Sequence, residues 1–248
     1  MVSTQRPAAA VKVQTLPVQV AARLVRRIAS GELQDSHAPS ELEICQEFGL
    51  SRAVARETLK LLASLDIIDV AQGRRNAVRP AAEWDYLNPL LVEWLPEEHV
   101  DQLLKELHEM RLLLEPELAA KAAAAISEDA LALLRSELER MAALETDPDD
   151  YLEADLAFHM AICQAAANRI LDRIMYSARW LLSASRRVTN QGHKGLHNAT
   201  VAHTRIFAAI EARDAEAARQ AMRAHLQTNF PILTANEQRA RGLRDVSE

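Results

Sequence analysis

Two helix-start signals separated by one glycine, in the first quarter of the chain, constrain its fold more than any other feature. Ser40 and Glu43 have the spacing of a capping box, in which two side chains satisfy backbone groups at the start of a helix. Gly49 is suited to end that helix because glycine adopts the left-handed cap conformation without strain. Ser51 is suited to cap the next helix. Two helices joined by so tight a turn predict a helix-turn-helix.

The neighbouring segments extend this pattern into a small domain. A helix is predicted over Pro17–Ser30, and two short β-prone pieces, Ile67–Val70 and Ala77–Val78, flank the basic segment Gln72–Asn76. A hairpin with a basic tip in this position is interpreted as a wing. The sequence therefore predicts a winged helix-turn-helix over residues 16–80, preceded by a flexible N-terminus of residues 1–15.

The remaining residues are predicted to be almost entirely helical, which makes the fold class mainly α. Aromatic residues are only 4% of the chain, while alanine, leucine, glutamate and arginine are abundant, and this composition favours helices over sheets. Residues 81–98 are interpreted as a linker, and residues 99–242 as a bundle of six to seven helices. The conspicuous loop of this region is Gln191–Gly195. The predicted helices cover residues 99–125, 128–145, 149–167, 169–188, 197–212 and 215–240.

Targeting signals and cysteine usage point to one compartment. No apolar run approaches the roughly 18 residues that a membrane span requires, and Met1–Ala10 lacks the apolar core of a signal peptide. Cys45 and Cys163 lie far apart without a Cys-x-x-Cys motif, so reduced buried thiols are expected. We expect a cytoplasmic protein with no membrane partner.

The predicted second helix of the helix-turn-helix carries a basic face. Arg52, Arg56 and Lys60 recur every fourth residue and therefore share one side, opposite an apolar side. With Ser51 they match the way recognition helices enter the major groove, where arginine reads guanine edges or holds phosphates. Residues 1–80 carry 11 Lys/Arg against 8 Asp/Glu, whereas the rest of the chain is acidic. The alternative is an ordinary solvated helix face; the cap, the turn and the wing favour double-stranded DNA as the partner.

Four residues of types that bind metals, one aspartate and three histidines, occupy apolar helix stripes in the second half of the chain. Asp155 and His159 are four residues apart and hence neighbours on one stripe, while His203 and His225 each share a stripe with apolar residues of a later helix. Burying a carboxylate is costly unless it is paired or metal-bound. One aspartate and three histidines suit a divalent transition metal such as zinc, nickel or manganese. The alternative is a set of hydrogen-bonded core residues.

Arg111 also lies on an apolar stripe, with Leu104, Leu107 and Leu118. One interpretation is a buried salt bridge to Glu115 or to another acidic residue of the bundle. The other is an anchor for a carboxylate effector, because the guanidinium group binds carboxylates with two parallel hydrogen bonds. Asn229, one turn after His225, is a weaker candidate for the same ligand.

The motifs of the first domain resemble those of the GntR family of bacterial regulators. Pro39–Glu43 is followed by Phe48-Gly49-Leu50-Ser51-Arg52 and by Arg56-Glu57-x-Leu59, close to the family pattern L-P-S-E-x-x-L-x-x-x-F-G-V-S-R-x-x-V-R-E-A-L. Four positions depart from the family, and one of them, Arg75 in place of the second wing glycine, bears on the shape of the wing tip. The other three are Ala38, Ala55 and Thr58. The resemblance implies DNA contacts by Ser51, Arg52, Arg56, Gly73 and Arg74.

The second half resembles the FCD ligand-binding domain of the FadR-type branch of this family. The hallmarks are Arg-x-x-x-Glu in the first helix, Asp-x-x-x-His in the middle, and one histidine in each of the last two helices. They are present here as Arg111/Glu115, Asp155/His159, His203 and His225. The resemblance implies that Asp155, His159, His203 and His225 bind one divalent transition metal per chain. It also implies a small carboxylate effector and a homodimer, which suits a palindromic operator. Residues 84–95 resemble the linker of members that respond to sugar acids.

The resulting prediction is a transcriptional regulator, a repressor of a catabolic operon that a small carboxylate releases from DNA. One alternative is a metal-dependent enzyme fused to a DNA-binding head. Against it, the apolar stripes carry no spare acid or base, and no Gly-x-Ser-x-Gly nucleophile motif is present. A purely structural DNA-binding protein is a second alternative, but it would leave the inward-facing aspartate, histidines and arginine without a role. We therefore expect a regulator and not an enzyme.

Overall fold

The computed structural model describes residues 14–33, 37–70, 75–189 and 192–234, with the side chains of residues 187–194 and 229–234 left out. The flexible N-terminus predicted for residues 1–15 falls almost wholly outside these ranges. The chain divides into two compact units between Val100 and Asp101.

Three helices form the core of the first unit: α1 (Leu16–Ala29), α2 (Glu41–Phe48) and α3 (Arg52–Ser64). The capping box predicted at the start of α2 is present, with both hydrogen bonds made between Ser40 and Glu43. Gly49 ends α2 at φ 64°, in the left-handed region, and the Ser51 hydroxyl caps α3. The helix-turn-helix is confirmed. The inward side chains of α3 are buried as predicted: Ala55, Thr58, Leu59, Leu62 and Leu65.

The predicted wing is confirmed as a two-stranded antiparallel hairpin, although its tip lies outside the described residues. Strand β1 (Ile68–Asp69) pairs with β2 (Ala77–Val78), with Ile68 opposite Val78. The Asn76 side chain donates to the backbone oxygen of Pro39, just before α2, at 3.0 Å. This bond ties the second strand to the start of the helix-turn-helix.

The segment interpreted as a linker is structured within the first unit. It contains a 3-10 turn over Ala81–Glu83 and a short helix, α4 (Pro89–Trp94), which packs against α1. The Trp84 indole donates to the backbone oxygen of Arg79 at 3.0 Å and is buried. The buried apolar residues of this segment are Trp84, Leu91, Val92, Trp94 and Leu95, whereas Leu87 and Leu90 are exposed.

Seven helices make up the second half of the described chain, as the sequence predicts for an all-helical bundle. The α6–α7 and α10–α11 pairs pack most extensively, and α9 packs against both α7 and α11. This arrangement brings the middle and the last helices of the bundle together around a common interior. The helices are α5 (Glu97–Ala125), α6 (Glu128–Ala143), α7 (Pro148–Ala165), α8 (Arg169–Ser177), α9 (Arg179–Thr189), α10 (Gly192–Glu211) and α11 (Ala215–Thr234).

Two details of the predicted bundle are wrong. The single helix predicted over residues 169–188 is two helices, α8 and α9, which meet at Ala178, where ψ is −2° instead of the roughly −42° of a regular helix. The loop predicted over Gln191–Gly195 is also wrong from Gly192 onward, because α10 begins there. Glycine lowers helix stability by about 1 kcal/mol relative to alanine, but the following turns bury Leu196 and His203, and this packing outweighs it.

The two cysteines are not joined by a disulfide. Cys45 is half-buried on α2 and Cys163 is buried on α7. Burial raises the pKa of the Cys163 thiol, which keeps it protonated. Within the described ranges, no helix is both long and apolar enough to cross a membrane.

Candidate functional site

The DNA-reading candidates lie at the exposed start of α3. Arg52 and Arg56 are both exposed, while the Ser51 hydroxyl accepts a hydrogen bond from the Val54 amide at 3.4 Å. The Arg56 guanidinium donates to the Glu41 carboxylate on α2, with both bonds 3.3 Å long. Glu41 therefore holds Arg56 at the junction of the two helices. Gly73 and Arg74, the candidates on the wing, lie outside the described residues.

A buried polar cluster occupies the interior of the helical unit. It contains the four residues singled out as metal ligands, and each is at most 4% exposed. Asp155 and His159 come from α7, His203 from α10 and His225 from α11. Arg111 and Glu115 on α5 are equally buried. Three separated segments of the chain thus bring the predicted ligand set together, although its role as a ligand set stays a prediction.

The centre of this polar cluster is a close approach of two imidazole rings. The Nε2 atoms of His159 and His203 are 3.0 Å apart. The Asp155 Oδ1 atom lies 3.4 Å from the Nε2 atom of His159 and 3.6 Å from that of His203. Two ring nitrogens and a carboxylate oxygen therefore face one small volume.

Hydrogen bonds at the far side of each ring determine where its hydrogen atom sits. The His159 Nδ1 atom is 2.6 Å from the Glu115 Oε2 atom, and the His203 Nδ1 atom is 2.7 Å from the backbone oxygen of Ala199. Both oxygens are acceptors, so each Nδ1 carries the hydrogen and donates it. Each Nε2 of a neutral ring is then a bare lone pair. In that neutral form, the two lone pairs face each other.

Burial favours the neutral form of His159 and His225. It lowers the pKa of His159 to about 4, although the Glu115 carboxylate acts in the opposite direction. Burial also lowers the pKa of His225, and the neighbouring rings of His203 and His159 lower it further. At neutral pH, His159 and His225 are therefore neutral and able to donate a lone pair to a metal ion.

Glu115 bridges an arginine and a histidine with its two oxygens. Its Oε1 atom accepts from the Nε atom of Arg111 at 2.6 Å, and its Oε2 atom accepts from His159. Burial alone would raise the pKa of Glu115, but Arg111 and then His159 outweigh it, so that the pKa is well below the usual range. The salt-bridge interpretation of Arg111 describes this geometry, and the effector-anchor interpretation stays a prediction.

Asp155 has a cationic partner that the sequence analysis missed. The Nε atom of Arg186, on α9, donates to the Asp155 Oδ1 atom at 2.9 Å, and Arg186 is only 2% exposed. Burial would raise the pKa of Asp155, but Arg186 first and His203 next bring it well below the usual range. The available signal was spacing, because Ala178, Leu182 and Arg186 follow one another every four residues on one buried stripe.

The donor set fits a divalent ion. One ligand nitrogen from each of His159, His203 and His225 lies within 4.8 Å of the others, in the part of the chain that the structure describes. Ligand atoms about 2.0–2.1 Å from a single ion lie roughly 3.0–3.4 Å apart, close to the separations among the two Nε2 atoms and the Asp155 oxygen. Glu115 and the Ala199 oxygen supply the outer hydrogen bonds that orient metal-binding histidines.

A further histidine accompanies this cluster. His108 is fully buried one turn before Arg111, and its pKa is lowered by burial and then by the Arg111 charge. The sequence analysis did not single it out, although its three-residue spacing from Arg111 was a usable signal. The side chain of Asn229, the weaker effector candidate, lies outside the described residues.

A winged helix-turn-helix followed by a helical domain with a buried polar centre defines a two-domain DNA-binding regulator. Residues 16–78 match the model of bacterial regulatory proteins of the gntR family, and residues 106–228 match the FCD domain. The chain belongs to the GntR family and has the FCD domain of its FadR-type branch. The matched domains are those of transcriptional regulators, so the chain is a regulator and not an enzyme.

The chain is similar to curated regulators over most of its length. It is 31% identical over 201 residues to the galactonate operon transcriptional repressor of Escherichia coli K12, which covers 80% of this chain and 88% of that protein. It is 31% identical over 219 residues to the Glc operon transcriptional activator of the same strain, covering 84% and 85%. LutR of Bacillus subtilis is 29% identical over 214 residues, covering 84% and 96%.

A solved structure has the same fold. The Listeria monocytogenes protein Lar superimposes with a TM-score of 0.59 at 19% identity, over 91% of this chain and 100% of that one. This likeness supports the architecture, winged helix-turn-helix plus helical domain, and nothing finer.

Replacing Glu115 with glutamine tests the buried bridge. Glu115→Gln keeps the shape of the side chain but leaves the buried Arg111 guanidinium without its counterion, which should cost about 3–5 kcal/mol of unfolding free energy. Glu117→Gln is the matched control, because Glu117 pairs with Arg219 on the exposed side of the same helix. The unfolding free energy of both variants is measured by denaturant titration. Equal losses of unfolding free energy in Glu115→Gln and Glu117→Gln would contradict the claim that Glu115 is the counterion of the buried Arg111.

Proposed function

We propose that this protein represses a catabolic operon, binds its operator as a homodimer, and is released when a small carboxylate binds at a metal ion in the helical domain. The single observation that carries the sensing part is the pair of imidazole lone pairs that face each other beside Asp155. The operator part rests on the exposed arginines at the start of α3. A regulator of this kind would act in the cytoplasm, where operator DNA is found.

The α3 arginines suit base readout. Arg52 and Arg56 project from the first turns of the recognition helix, where a guanidinium reaches a guanine edge with two hydrogen bonds. In the DNA-free protein, the Glu41 carboxylate holds Arg56 in place. DNA then competes with an exposed ion pair, which costs little to break.

Removing either arginine should abolish operator recognition. Arg52→Ala and Arg56→Ala are each expected to cost about 1–3 kcal/mol of binding free energy on the operator and little on a scrambled duplex. Fluorescence anisotropy with both duplexes gives the ratio of the affinity for the operator to the affinity for the scrambled duplex. Arg26→Ala is the control, because Arg26 is an exposed arginine of α1, outside the recognition helix, and its loss should leave this ratio unchanged. Wild-type ratios in both α3 variants would refute the DNA-reading assignment.

A metal ion accounts for the histidine arrangement. The Nε2 atoms of His159 and His203 lie 3.0 Å apart beside the Asp155 carboxylate, and a cation held between these atoms would bind both nitrogens. Asp155, His159, His203 and His225 would hold such an ion, with zinc, nickel and manganese the metals that suit nitrogen and oxygen ligands. When bound, the ion supplies a positive charge that can accept the oxygens of a small acid.

Protein purified without a chelator is expected to contain about one divalent transition ion per chain by elemental analysis. His203→Ala and His225→Ala should each reduce that content and lower the melting temperature of the untreated protein, since a ligand that binds only the folded state stabilises it. His197→Ala is the matched control on α10, because His197 is exposed and pairs with Glu145. If the wild-type protein contains no metal, then Asp155, His159, His203 and His225 form only a buried hydrogen-bond network.

The charges around the polar cluster favour an anionic effector. Arg111 and Arg186 balance Glu115 and Asp155, so a divalent ion leaves the buried groups positive. A carboxylate is the ligand that compensates this charge and pairs with a guanidinium in plane. The similarity to the galactonate operon repressor supports a sugar acid. Asn229 remains a candidate for an additional contact.

The effector role of Arg111 is tested by separating DNA binding from release. Arg111→Ala should bind operator normally yet resist release by a panel of small hydroxy acids that includes galactonate, because the guanidinium that pairs with the carboxylate is gone. Arg111→Lys keeps the charge for Glu115 and should respond only weakly, since an ammonium cannot form the planar pair. Operator anisotropy is titrated with each acid, and a melting curve accompanies each variant. If both variants leave the operator at the acid concentrations that release the wild-type protein, Arg111 is not the carboxylate anchor.

A further inference from the structure

Arg186 is the least expected member of the buried cluster. It lies on α9, a helix that contributes none of the four metal-ligand candidates, and its guanidinium is held at two points. The Nε atom donates to the Asp155 Oδ1 atom at 2.9 Å, and the Nη1 atom donates to the backbone oxygen of Leu182 at 3.2 Å. A long, charged side chain is rarely buried this completely without a specific partner. Its partner here is a candidate metal ligand.

The oxygen that Arg186 binds is the one that faces the histidines. Asp155 Oδ1 lies 3.4 Å and 3.6 Å from the Nε2 atoms of His159 and His203, which are the lone pairs available to an ion. A guanidinium and a divalent cation would therefore share one carboxylate oxygen. Two cations on one oxygen repel each other, and low-dielectric surroundings strengthen that repulsion.

The buried ion pairs are complete without a metal. Arg111 pairs with Glu115 at 2.6 Å, and Arg186 pairs with Asp155 at 2.9 Å, so two arginines match two carboxylates. A divalent ion adds an excess of positive charge to a region where every one of these groups is at most 4% exposed. Such an excess is unfavourable unless an anion enters with it.

We propose that Arg186 is an anion-binding residue that couples metal binding to effector binding: it neutralises Asp155 in the metal-free protein and turns its guanidinium to the effector's carboxylate when a metal ion takes Asp155. This inference rests on the proposed metal site and names how that site is regulated. The guanidinium suits both tasks, because its planar donors pair equally well with an aspartate and with a small carboxylate.

Coupling of this kind is reciprocal. If the anion tightens metal binding by some factor, the metal tightens anion binding by the same factor. Arg186 contributes to that factor because the metal weakens its bond to Asp155 and the anion offers it a replacement. A residue that only positions Asp155 would instead support metal binding with or without an anion.

The test measures zinc affinity of the full-length chain by competition with a chromophoric chelator, with and without glycolate as a simple 2-hydroxy acid. In the wild-type protein, glycolate is expected to tighten zinc binding roughly tenfold, within the usual range of coupling between sites. In Arg186→Gln, zinc should bind without glycolate at least as tightly as in the wild type, and the glycolate effect should fall below about twofold. Arg179→Gln removes an exposed charge from the same helix and should keep the full effect.

Arg186→Lys guards against a folding failure of the glutamine variant. It keeps the positive charge beside Asp155, so zinc affinity without glycolate should match the wild type, while the glycolate effect should shrink several-fold. Retention of the full glycolate effect in Arg186→Gln or Arg186→Lys would overturn the proposal, and so would a wild-type protein that binds zinc without any response to glycolate. A wild-type protein that binds no zinc would overturn the metal site itself, which distinguishes the two failures.

Discussion

The hydrogen bond from His159 to Glu115 determines the character of the helical domain. It places the ring hydrogen on Nδ1 and leaves Nε2 bare, 3.0 Å from the equally bare Nε2 atom of His203. Without that bond, His159 could carry its hydrogen on Nε2 and donate it to His203, and the two rings would form an ordinary core hydrogen bond. With it, the interior contains converging lone pairs that a cation can satisfy.

Side chains and backbone groups of other helices support this arrangement. Arg111 keeps Glu115 ionised, and Arg186 does the same for Asp155, so both carboxylates are available as charged acceptors at neutral pH. Helix α10 holds His203 through the backbone oxygen of Ala199. These groups are supplied by α5, α7, α9 and α10, so the polar cluster joins four helices of the domain.

Much of this organisation is readable from the sequence because it depends on local rules. The cap at Ser40, the glycine at position 49 and the four-residue spacing of Asp155 and His159 are short-range patterns that determine helix ends and faces. The partners across helices are different. Spacing can place Arg186 on an inward stripe, but its pairing with Asp155, like that of Arg56 with Glu41, depends on how the helices pack. The helical start of α10 at Gly192 is also decided by packing.

X-ray absorption at the zinc edge of the zinc-loaded protein tests the central claim most directly, because it reports the atoms around the ion without requiring DNA or an effector. The account predicts a first shell of nitrogen and oxygen at about 2.0–2.1 Å, with the outer scattering of several imidazole rings. In His203→Ala the imidazole contribution should fall. A first shell of oxygen alone, or an unchanged imidazole contribution in that variant, would contradict the claim that the buried histidines hold the metal.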